Sequence, residues 1–144
     1  KFNIIFFHQA VWSFRSDGME TLSAVTRRLA FRFVDEVELS IGTDIYTSLK
    51  RSFEYAGVFG AENRVAESDA DTIFLISDGF PFLPETLQEF GVMDRAEILG
   101  SLETWNKGPQ VLLHTIAILD QDGRGGKRFL TRMARDHSGE YVER

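Results

Sequence analysis

A hydroxyl and a carboxylate, Thr43 and Asp78, are the two residues in this sequence best suited to share a chemical task. Thr43 follows Gly42 at the start of a helix-periodic stretch. Asp78 lies in Ser77-Asp78-Gly79, directly after the apolar run Thr72-Ile73-Phe74-Leu75-Ile76. Oxygen donors of this kind suit a hard cation such as Mg²⁺, and also Mn²⁺ or Ca²⁺. Both residues also have ordinary structural uses, since threonine caps helices and Asp-Gly closes turns. His8, at the end of the N-terminal apolar run, together with Asp44, Ser77, Gly79, Phe80 and Phe82, forms the expected rim of the same site. The apolar residues Phe80, Phe82, Leu83 and Phe90 are placed either as a protein-binding rim or as a packed loop core.

Other constellations fit less well. A hydrolase or phosphoacceptor centred on Asp78 or Ser77, with His8 or His114 as base, is the alternative reading. It lacks the Gly-x-Ser-x-Gly elbow, because Ser77 is flanked by Ile76 and Asp78, and no lysine stands convincingly at the end of a later strand. Asp120-Gln121-Asp122-Gly123 starts like a calcium loop, but Gly125 and Gly126 replace further oxygen ligands. Gly123-Arg124-Gly125-Gly126-Lys127 lacks phosphate-loop spacing, and Arg128 occupies the position of the Mg²⁺-binding hydroxyl.

The pattern of the chain predicts the elements that position these residues. Phe2 to Phe7, extending toward Val11, is apolar enough for a strand covered on both faces. From Gly18 to about Leu39 the period changes: Leu22, Val25, Leu29, Phe33 and Val37 mark one helical face, and Asp17 with Glu20 has capping-box spacing. Thr43 opens a second helix with Ile45, Leu49, Phe53 and Ala56 on its apolar face, ended by Gly57 and Gly60. Ala61 to Ala70 reads as a surface loop, Thr72 to Ile76 as a buried strand, and residues 80 to 93 as a long loop above the sheet. A helix capped by Asp94 and Glu97, with Met93 stapled on Ile98, carries Ile98, Leu102 and Trp105, and Lys107-Gly108-Pro109 stops it. Val111 to Leu119 is the next strand, and Asp120 to Gly126 a glycine-rich turn. Phe129, Leu130, Met133, Ala134 and His137 mark a last helix, closed by Gly139, and Glu140-Tyr141-Val142 is a short edge strand. Strands alternating with helices predict an α/β fold: a doubly wound, mainly parallel sheet with helices on both faces. In such a sheet ligands bind at the carboxyl ends of the strands, where Asp78 falls.

These segments together resemble a von Willebrand factor type A domain. Phe2-Asn3-Ile4-Ile5-Phe6-Phe7 matches its second strand, Ile41-Gly42-Thr43-Asp44 its threonine loop, and Asp71 through Pro81 its central strand and aspartate turn. Val111-Leu112-Leu113-His114-Thr115-Ile116 and Gly139-Glu140-Tyr141-Val142 continue the likeness, so residues 1–144 read as one partial domain of this type. The resemblance implies a metal-ion-dependent adhesion site with Thr43 and Asp78 as metal ligands. It also implies a protein partner that supplies an acidic side chain to the cation. The family's Asp-x-Ser-x-Ser motif and first strand are not among these residues, and Asp17, followed by Gly18 and Met19, does not replace the motif. Weak cation binding is therefore expected, because a divalent ion seeks about six oxygen ligands.

Composition narrows the partners. A net charge of -6 and the absence of cysteine argue against a phosphate-backbone partner and exclude thiolate sites. No apolar run reaches the roughly 18 residues that span a bilayer, so no membrane insertion is expected from this segment. The start at Lys1, directly into an apolar strand, reads as an excised fragment of a larger, non-enzymatic interaction protein.

Overall fold

The computed structural model describes residues 1–38, 40–57, 70–82, 94–107, 111–118 and 124–144. The chain opens on a hairpin, β1 (Ile5–Phe7) paired antiparallel with β2 (Val11–Ser13) through Ile5–Ser13, Phe6–Trp12 and Phe7–Val11. The expected strand from Phe2 is thus shorter and turns back on itself, and its residues are half-buried rather than covered on both faces. Asn3 secures the base of the hairpin: its Nδ2 donates to the Arg15 and Gly18 carbonyls. Its Oδ1 accepts from the amides of Ile4 and Arg15.

Helix α1 (Ala24–Asp35) starts later than its apolar spacing predicts. Ser23 and Thr26 form the capping box, whereas Glu20 receives the Arg15 side chain and pairs its main chain with Phe2. The face read as buried is largely outside: Leu22 is 66% and Val25 56% exposed. Phe33 of that face does turn inward, packed on the rings of Phe6 and Phe14, and Ala30, near it in sequence, is buried.

Helix α2 (Ile45–Tyr55) keeps the expected face, with Ile45, Leu49, Phe53 and Ala56 all buried. Its cap is Asp44, whose carboxylate accepts from Thr47 N, and not Thr43. Strands β3 (Thr72–Ser77), β4 (Leu112–Ala117) and β5 (Tyr141–Glu143) form a three-stranded parallel sheet in that order. Thr72 pairs with Leu112 and Ser77 with Ala117, and β5 joins from Thr115–Tyr141 onward. Between them run α3 (Arg95–Trp105), whose Asp94–Glu97 capping box is present as predicted, and α4 (Arg124–Asp136). Helix α4 begins inside the segment read as a turn, so Arg124 to Gly126 are helical. Leu39, Gly60, Ala61 to Asp69, Leu83 to Met93, Gly108, Pro109, Leu119 and the Asp120–Gly123 turn lie outside the described residues.

One face of the sheet carries the core. Leu75, Leu113, Thr115 and Ala117 are buried against Phe53 of α2, Ile98 and Leu102 of α3, and Leu130 and Met133 of α4. Thr115 Oγ1 donates to the Leu130 carbonyl at 3.0 Å, which satisfies a hydroxyl in this apolar setting. At full burial each large aliphatic side chain here contributes roughly 1.5–3 kcal/mol. The alternate residues point the other way: Phe74 is 64%, Ile76 53% and Ile118 59% exposed. Among the described residues Thr72 to Ile76 is therefore a strand with one covered face, where its unbroken apolar character predicts two.

Candidate functional site

Asp78 stands just beyond the carboxyl end of β3, at the start of a tight turn. Its Oδ1 accepts from Phe80 N at 2.9 Å, and Ser77 Oγ accepts from Gly79 N at 3.0 Å. Gly79 adopts φ +75°, a conformation that side-chain-bearing residues rarely tolerate. The turn rests on the first residues of α4, so closely that a Cβ on Gly126 would overlap the Asp78 carbonyl oxygen. Ser77 is buried and Asp78 exposed.

Thr43 reaches the same edge through main-chain pairing. Thr43 N donates to Phe82 O at 2.5 Å, and Phe82 N returns a bond to Thr43 O at 3.2 Å. Asp44 N donates to His8 O at 2.7 Å. The segments that follow β1 and β3 are thus tied together through Thr43 and Asp44; Thr43, Ser77 and Asp78 line one cleft, and Asp44 and His8 join Thr43 through the main chain. His8 is held there by its ring, because Nδ1 accepts from the Gln9 and Ala10 amides and the ring packs edge-on against Trp12. His114 is half-buried, stacked on Phe74, and its Nδ1 accepts from Glu140 N.

Phe80 and Phe82 are exposed, and the Arg95 guanidinium sits 4.6 Å from the Phe80 ring centroid and 5.7 Å from that of Phe129. Arg95, Gly126 and the Phe82 main chain are parts of this rim that sequence reasoning missed. Only the glycine carries a sequence signal, and a glycine in a Gly-rich stretch reads first as a turn.

Below the rim lies a cleft of about 1370 Å³. One wall runs from Phe2 to Phe7, the other from Ala70 to Asp78, and α2 contributes Leu49, Ser52 and Tyr55. Thr43 and Asp78 both line it. Among the described residues no three histidine or acidic side chains converge as a metal-binding group. Thr43 and Asp78 thus offer hard oxygen atoms, with Ser77 Oγ beside Asp78 at 3.4 Å, and no complete ligand shell. Compared with family models and with curated proteins, the sequence matches none.

Proposed function

We propose that this chain is a protein-interaction module of the von Willebrand factor A type, doubly wound in its complete form, with a partial metal-ion-dependent adhesion site. The observation that carries this reading is the shared position of Thr43 and Asp78, at one sheet edge and on one cleft. In this reading Thr43 and Asp78 hold Mg²⁺, or Mn²⁺ or Ca²⁺ in its place, and an acidic side chain of a partner protein completes the coordination. His8, Asp44, Ser77, Gly79 and the exposed rings of Phe80 and Phe82 shape the rim that meets this partner. The N-terminal dipole of α2 opposes a cation, and Asp78 with Asp44 offsets it only in part, so binding in the millimolar range is consistent with the site.

The test is calorimetric titration of Mg²⁺ into the chain and into Asp78→Ala and Thr43→Ala variants. Weak, saturable binding that both substitutions abolish supports the proposal. Binding unchanged by Asp78→Ala overturns it. Turnover or phosphorylation lost in the same variant would favour a hydrolase or phosphoacceptor centred on Asp78 instead.

A further inference from the structure

Arg95 carries a charge that its surroundings leave unanswered. It opens α3 half-buried, with its guanidinium 4.6 Å from the Phe80 ring centroid and 5.7 Å from that of Phe129. Rings satisfy the flat face of a guanidinium and leave the N–H groups along its edge in need of acceptors. Among the described residues no oxygen takes up those N–H groups. The neighbouring carboxylates are engaged elsewhere: Asp94 accepts from the Ala96 and Glu97 amides, Glu97 from Asp94 N, and Asp78 from Phe80 N. Phe129 is buried and Phe80 is 40% exposed, so the guanidinium runs from the edge of the core out to the rim. A Cβ on Gly126 would overlap the Asp78 carbonyl and stand 3.0 Å from the Phe80 ring, which places this stack directly beside the Asp78 turn.

We propose that Arg95 and Phe80 form a docking point for an acidic segment of a partner protein. A side-chain carboxylate of that segment accepts two hydrogen bonds from the Arg95 fork, and an adjoining apolar side chain covers the exposed Phe80 ring. Charge selects this occupant. A single guanidinium matches one carboxylate bidentately, and a half-buried cation gains most from a counter-charge that arrives with the partner. A phosphate group, close to a dianion at neutral pH, fits less well, because the exposed carboxylate of Asp78 repels it more strongly than a monoanion. A neutral or basic segment would leave the Arg95 edge without an acceptor. The two rings also hold the guanidinium in place before binding, so little side-chain freedom remains to be lost. Arginine and aromatic side chains are the residue types that dominate interface energetics. The contact uses no cation and goes beyond the metal reading.

The test uses capped hexapeptides in which one glutamate or aspartate adjoins a phenylalanine or leucine, titrated into the 144-residue chain in EDTA and followed by NMR. Binding should shift the Arg95 side-chain Nε–H and the Phe80 ring resonances together. Replacing the acidic residue of the peptide with its amide should weaken binding about tenfold, and Arg95→Gln should weaken the acidic peptide by a similar factor while leaving the amide peptide unchanged. The peptide-side change tests the contact without altering the protein. Arg95→Glu should invert the preference, so that a lysine peptide binds better than the acidic one. Equal binding of the acidic and amide peptides, binding indifferent to Arg95→Gln, or tighter binding of a phosphoserine peptide than of the acidic one would each overturn the proposal. Binding that requires Mg²⁺ and Asp78 but not Arg95 would overturn it and support the metal reading. Arg95-dependent binding with no Mg²⁺ response would leave it standing and overturn the metal site alone.

Discussion

Gly126 and Gly79 meet across the turn that presents Asp78, and neither has room for a side chain. In Gly126→Ala the new methyl group must displace the Asp78 carbonyl, which is main chain and cannot swing aside. A loss of about 1–3 kcal/mol is expected from such overpacking, read by urea denaturation, together with shifted amide resonances at Gly79 and Phe80. A second residue-scale prediction concerns His137, which burial holds below the usual histidine pKa against the opposing charges of Asp136 and Glu103. Its Nδ1 lies 3.2 Å from Asn106 Nδ2, a donor fixed in place by the Val111 main chain, so the neutral ring accepts there and the protonated ring does not. The unfolded chain binds this proton more readily than the folded one. Stability from His137 is thus complete above about pH 6.5 and is lost as pH falls through the lower folded value. Denaturation midpoints between pH 7.5 and 5 should fall, and His137→Gln should flatten that dependence. Thr43 and Asp78 were legible as a pair because one follows a strand and the other precedes a helix. The Thr43–Phe82 pairing was not, since main-chain bonds leave no side-chain signature in a sequence.

Capping separates what the helices require from what their spacing implies. Asp94 accepts from the Ala96 and Glu97 amides while Glu97 returns a bond to Asp94 N, so Asp94→Ala should cost about 1 kcal/mol. Asp17, with the same spacing to Glu20, caps nothing in α1, and Asp17→Ala should change stability by less than about 0.5 kcal/mol. Thermal denaturation of the two variants side by side checks both values. The difference shows where sequence patterns carry information. Asp94 precedes Ile98 and Leu102, which bury together, whereas Glu20 is drawn away by Arg15 and by pairing with Phe2. The apolar stripes of α2 and α4 predicted their buried faces because each has one polar side. Helix α1 is apolar around more of its circumference, with Phe31 and Val34 exposed beside Val25, and periodicity alone could not choose the inner face. Strand β3 posed the same difficulty. Thr72 to Ile76 is apolar at nearly every position, so its sequence could not tell that helices of the described residues cover only the side bearing Leu75.

At the scale of the whole molecule, the dominant feature is the side of the sheet that no helix among the described residues covers. Phe74, Ile76, Leu112, Ile118 and Val142 are exposed on it, and Phe74, Ile76 and Ile118 also border the cleft. Contiguous apolar surface of this kind drives association, and the edge of β3 that pairs with no strand among the described residues adds main-chain groups that template pairing. The chain should therefore self-associate as its concentration rises and bind a dye specific for exposed apolar surface. Replacing Ile76 and Ile118 with threonine keeps β-branched side chains suited to an extended backbone while making this face more polar. The double variant should sediment as a smaller species and bind several-fold less dye. Its unfolding free energy should stay within about 1 kcal/mol of the parent, because both side chains are already more than half in water. A large loss of stability would instead mean that this face is covered in solution, and that the apolar alternation of β3 serves two packed layers rather than one.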